Sequence, residues 1–124
     1  MTKDEWIAQI ENTAKEAGTY KPFFVNVIET LAGILENRDK AQDTFEKTGG
    51  QVIVKHTNKA GATNLEQNPA LRLLNDLNRD ALGYWRELGL TPKALKAINE
   101  ESMKARKMDA LTEALLELES GNSD

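Results

Sequence analysis

Five cations crowd the stretch between residues 93 and 107: Lys93, Lys96, Lys104, Arg106 and Lys107, set against Glu100 and Glu101. Ammonium and guanidinium groups at this density can neutralise the phosphates of a nucleic-acid backbone. Such contacts fix a protein's position on a duplex without reading its sequence. Wound into a straight helix, Lys93, Lys96, Glu100, Lys104 and Lys107 fall along one stripe, which equally describes a solvated helix face. A second basic group, Lys55, His56 and Lys59, follows the β-branched run Val52-Ile53-Val54. A loop of this kind can track phosphates or enter a minor groove, or it can be a solvated hairpin tip. The candidate DNA-contacting residues are therefore Lys93, Lys96, Lys104, Arg106, Lys107, Lys55 and Lys59.

Covalent and acid–base chemistry has little to work with. His56 is the one histidine, and there is no cysteine, so thiolate sites and disulfides are excluded. No HExxH pair, glycine-rich phosphate loop or GxSxG turn occurs, and the carboxylates are spread over what read as solvated helix faces. The expectation is a protein that is not an enzyme and needs no metal and no cofactor.

Charge is segregated along the 124 residues. The net charge is −4, yet residues 1–50 carry six basic and nine acidic groups, and 108–124 carry five acidic and no basic ones. An acidic protein is not an obvious nucleic-acid binder, but a basic stretch followed by an acidic tail keeps that class open. No apolar run approaches the roughly 18 residues of a membrane span. The N-terminal stretch is charged and periodic, unlike a signal peptide. A cytoplasmic protein without membrane contact is expected.

The elements that must position these groups are helical. The expected fold is mainly α, with helical hairpins, one long central helix and a short extended or β-hairpin segment near 51–64. Trp6, Ile7, Ile10, Ala14 and Ala17 put one apolar face on a helix from Asp4 to Ala17, with Thr2 and Glu5 as a capping box and Gly18 as the stop. A second helix starts near Pro22 and runs to Gly49-Gly50. At 1.5 Å per residue it would reach about 40 Å, more than one small subunit can cover, which predicts helices from other copies against it. A third begins at Asn68-Pro69 and carries Ala70, Leu73, Leu74, Leu77, Ala81, Tyr84, Trp85 and Leu88 on one face. Gly89 ends it, Thr91 caps a fourth helix and Pro92 opens it, with Leu95, Ile98 and Ala105 facing inward.

Asn68 to Leu95 could thus be a helix–turn–helix, with Tyr84, Leu88, Leu90, Leu95 and Ile98 at its buried positions. Trp85 stands where the two helices of that motif approach closely and would hold them apart, so a core αα-hairpin is the expected form. Further on, Leu111, Leu115 and Leu118 fall on the same face as the lysine stripe. One straight helix would turn from basic to apolar along a single face, which predicts a break near Lys107–Asp109. The chain then divides into a helical domain, 1–107, and an acidic segment, 108–124. Leu111, Leu115 and Leu118 are the candidate partner-binding residues of that segment, and Ser120 to Asp124 are expected to fray.

Asn68-Pro69-Ala70, the amphipathic helix after it and Glu87-Leu88-Gly89-Leu90-Thr91-Pro92 resemble a signature of the small subunit of tailed-phage terminases. The preceding helix, with Asp39 to Phe45 and its Gly-Gly ending, is also similar, so the resemblance covers roughly residues 20 to 100. It implies a non-enzymatic packaging factor that binds double-stranded viral DNA near the packaging start and assembles into a ring. Such a factor recruits and regulates the large ATPase–nuclease subunit in the host cytoplasm. The acidic leucine-bearing tail would contact that large subunit. After the Thr-Pro turn, Lys93-Ala94-Leu95-Lys96 stands where the family tends to have small residues and an arginine, so the resemblance carries over a role and not a residue-level site. Two other classes fit the residues alone: a dimeric helix–turn–helix transcription regulator, and a helical scaffold protein without DNA affinity.

Overall fold

The computed structural model describes residues 1–121, which form four α-helices and one β-hairpin. Helix α1 spans Lys3–Ala17. The Thr2 hydroxyl accepts the Glu5 N–H at 3.2 Å, and Gly18 closes the helix in the left-handed conformation, φ 76°. Its apolar spacing buries Trp6, Ile10 and Ala14. A single 3-10 turn, Pro22–Phe24, leads into α2, Val25–Lys47, so the long helix begins three residues beyond the proline.

Helix α2 is the centre of the molecule, with α1 and a third helix, α3 (Pro69–Glu87), both packed on it. Ile28, Leu31, Ala32 and Leu35 meet Trp6 and Ile10 from α1, Ala81 from the third helix and Leu88 just past its end in one core. A polar clasp closes the α1–α2 contact. Asp39 accepts hydrogen bonds from the Trp6 indole N–H at 2.8 Å, from the N-terminal ammonium at 3.3 Å and from Arg38 at 3.1 Å. The Arg38 guanidinium also lies over the Trp6 ring. One turn earlier the Glu36 carboxylate accepts the backbone N–H of Lys3 at 2.6 Å.

Strands β1, Ile53–Thr57, and β2, Thr63–Gln67, pair antiparallel with Lys55 opposite Leu65. The hairpin ends three residues past the expected 51–64 segment. Asn58 shapes its tip, its side-chain oxygen accepting the N–H groups of Ala60 and Ala62 at 3.0 Å. Asn68 then fastens the hairpin to the next helix. Its side-chain oxygen caps α3, Pro69–Glu87, through the Ala70 N–H at 3.0 Å. Its amide donates to the Gln51 carbonyl at 2.9 Å, and its backbone N–H donates to Val52 at 2.8 Å. These bonds explain why a polar side chain is buried here.

Helix α4 differs from its sequence-based expectation. It is one unbroken helix, Pro92–Gly121, with no buried residue. No break occurs near Lys107–Asp109, because residues 104–118 contain neither Gly nor Pro and are rich in good helix formers. The conflict between a basic and an apolar face is resolved by exposing both. Leu95 is half-buried, but Ile98 and Ala105 are exposed and do not face a core. The α3–α4 pair is likewise not a packed core hairpin. Leu88 and Trp85 of this region turn toward α1 and α2 instead. Ser120 and Gly121 lie in the helix, while the remainder of the stretch expected to fray, 122–124, lies outside the described residues.

Candidate nucleic-acid and partner interface

The turn before α4 is tightly specified. Gly89 adopts φ 70° and is buried, and a Cβ there would run into the Ile98 side chain and press on Thr19 at 3.3 Å. Glycine is needed both for the backbone angle and for the close approach. Beyond it, the Thr91 hydroxyl accepts the Ala94 N–H at 3.3 Å and starts the helix. At 1.5 Å per residue, the 30 residues of α4 extend about 45 Å.

Lys93, Lys96, Lys104, Arg106 and Lys107 all sit on this helix, all exposed, and none enters an ion pair among the described residues. Four of them form the expected stripe. Arg106 projects about a third of a turn away, as 3.6 residues per turn requires. With no carboxylate paired to it among the described residues, the stripe is open to an approaching polyanion.

Lys55 and Lys59 are exposed too, but they do not join that stripe. The hairpin is tied to the N-terminus of α3 through Asn68, and α4 leaves from its C-terminus. The 19 residues of α3 therefore set the attachment points of the two basic segments about 28 Å apart along the helix. His56 is occupied locally, its Nδ1 3.8 Å from the Glu66 carboxylate across the strand pair. Among the described residues no group of three or more His, Asp or Glu side chains gathers in a way that could hold a metal ion. No helix is long and apolar enough to cross a membrane.

Leu111, Leu115 and Leu118 are 55 %, 54 % and 64 % exposed, and Met108 continues their line at 62 %. Spaced three and four residues apart, they make an apolar stripe of two heptads with nothing upon it. Asp109, Glu113 and Glu117 fall on the opposite side of the helix, and Glu119 flanks the stripe.

Sequence reasoning missed a groove of about 360 Å³ between α2 and α3, lined by Lys40, Ala41 and Thr44 on one side and Ala70, Leu73 and Leu77 on the other. Leu73 reads as a core residue by spacing, yet it is 53 % exposed. The signal was present in the small residues Ala41 and Ala70, which leave the space between the two helices unfilled.

A helical core built on one central helix, with a small hairpin and an exposed, highly charged fourth helix, defines a mainly α protein. The family model described as phage terminase, small subunit, matches residues 2–105. The chain belongs to that family, whose place is in phage DNA packaging. Part of the chain is also 41% identical over 54 residues to the bifunctional protein FolD of Natranaerobius thermophilus, a match covering 40% of this chain. It spans only 19% of that protein's length and so bears on no more than a local segment. No solved structure matches.

Proposed function

We propose that this chain is the non-catalytic small subunit of a phage terminase. In this role it binds double-stranded viral DNA near the packaging start as a ring of copies and brings the large ATPase–nuclease subunit to it. The observation that carries this is α4, a helix with no buried residue whose first sixteen residues bear five cations outside any ion pair and whose remainder bears an uncovered leucine stripe. Lys93, Lys96, Lys104, Arg106 and Lys107 supply phosphate contacts, and Lys55 and Lys59 supply a second, weaker set. Leu111, Leu115 and Leu118 are the protein-contacting face. A chain of net charge −4 binds a polyanion in this way because each copy adds a few contacts and the ring sums them.

Light scattering together with DNA binding across a salt series tests the proposal. The expected result is a multi-copy assembly whose affinity falls steeply with salt. Replacing Lys104, Arg106 and Lys107 by Gln should flatten the log–log salt dependence by about one unit for each phosphate that is no longer neutralised. A monomer indifferent to DNA at low salt would sink the proposal. Protection of a palindromic site by a two-fold dimer would mark a transcription regulator instead.

A further inference from the structure

Two large apolar features of this molecule lack a partner, and they match one another. One is the Met108, Leu111, Leu115, Leu118 stripe; the other is the open α2–α3 groove floored by Ala41, Ala70, Leu73 and Leu77. We propose that they dock in trans: the C-terminal half of α4 from one copy lies in the α2–α3 groove of the next. This rests on the self-assembly part of the proposed function and on nothing about DNA.

The occupant is a second copy for three reasons. Helix α4 is one unbroken helix with no buried residue, and its half from 106 to 121 is exposed, so it does not turn back to fill the groove of its own chain. The stripe presents anchors at i, i+3, i+7 and i+10, the spacing with which an amphipathic helix enters an apolar groove. The charges also agree. The one charged residue lining the groove is Lys40, and the segment from 109 to 119 carries carboxylates only. Glu119, one turn after Leu115, flanks the stripe at the height where a cation would meet it, while Asp109, Glu113 and Glu117 would face water. Lys40 now rests on Glu36 at 3.5 Å with its side chain 72 % exposed, so it is free to exchange that neighbour for one across the interface.

The contact is heterologous. Each copy gives its stripe to one neighbour and its groove to another, and repetition of that step closes a ring when the rotation allows. It also shows how a small subunit adds apolar burial that its own core cannot provide.

The absence of cysteine makes a direct test clean. Full-length Leu73→Cys and Leu115→Cys variants are mixed and oxidised, and the chain carrying both substitutions is oxidised alone. Heterodisulfides in the mixture and a ladder of linked copies for the double variant are expected. Leu115→Cys linking to itself would mean that α4 pairs with α4, and would overturn the proposal. No linkage in an assembly that still forms would overturn it as well. Lys40→Glu should lower the assembled fraction at least tenfold, and Glu119→Lys on the same chain should restore it. Leu111→Asp with Leu115→Asp should reduce the scattering mass to that of one chain. Both leucines are exposed, so an unchanged melting profile of the core separates lost assembly from lost folding. A variant that keeps its assembled mass and loses only large-subunit binding would refute docking in trans while leaving the packaging role intact.

Discussion

Asp39 and Gly89 each hold two parts of the molecule together, by opposite means. Burial alone would raise the Asp39 carboxyl, but hydrogen bonds from Trp6, Arg38 and the N-terminal ammonium outweigh it and hold the group below its ordinary value. At Glu36 the Lys3 backbone N–H does the same against partial desolvation, with help from Lys40. A carboxylate depressed on folding stabilises the native state above its unfolded pKa, near 4, and loses that contribution as pH falls through the lower folded value. Unfolding measured from pH 6 down to pH 2 should therefore show stability falling below about pH 4. Asp39→Asn should be less stable at neutral pH and lose stability less steeply in acid. Gly89→Ala should cost about 1–2 kcal/mol from the left-handed angle alone, read from urea midpoints. Trimming Ile98 to Ala would relieve the steric part and leave the backbone part.

Among the elements, the ends of helices were the most legible in the sequence. Thr2, Asn68 and Thr91 cap where their side chains and spacing said they would, because a cap is a local hydrogen bond between a side chain and the next turn. The hairpin was legible as a segment but not in extent, since strand length depends on pairing partners. The supposed break in α4 arose because periodicity was taken to mean a buried face. A helix that touches its own chain only at its root, through Leu95 and Ile98, is under no such constraint beyond it. The α2–α3 groove was invisible for a related reason: an alanine on an apolar stripe reads as core whether or not a neighbour fills the space beside it. Substitutions separate these cases. Leu31→Ala, at a side chain with no exposure, should cost about 2–5 kcal/mol. Leu111→Ala should change the unfolding of the isolated chain by less than about 0.5 kcal/mol. Asn68→Ala should cost about 1–2 kcal/mol through removal of the cap, and hydrogen exchange should speed up at the 51–68 hairpin together with the first turn of α3.

For the whole molecule, charge placement matters more than its sum. The net value of −4 divides into a mildly acidic body, a basic root of α4 and an acidic end. Assembly through the leucine stripe should respond weakly to salt, because apolar burial is not screened. DNA binding should respond strongly. Running both titrations on one sample should give two well-separated salt dependences; a shared midpoint would mean that the chains associate only through the nucleic acid. Composition and spacing foretold the helical body and the short hairpin. They could not foretell which surfaces stay bare, because that depends on how three helices leave space between them.

The free helix also has a mechanical consequence. With no buried residue in α4, any change of angle at the Gly89–Thr91 corner would act through a lever about 45 Å long. A tilt of 10° at that pivot would sweep its far end through about 8 Å, using this helical length. The same tilt would shift the leucines by about 5–7 Å, close to one helix turn. In the proposed assembly, differences in the angle between neighbouring copies would be taken up at that single corner.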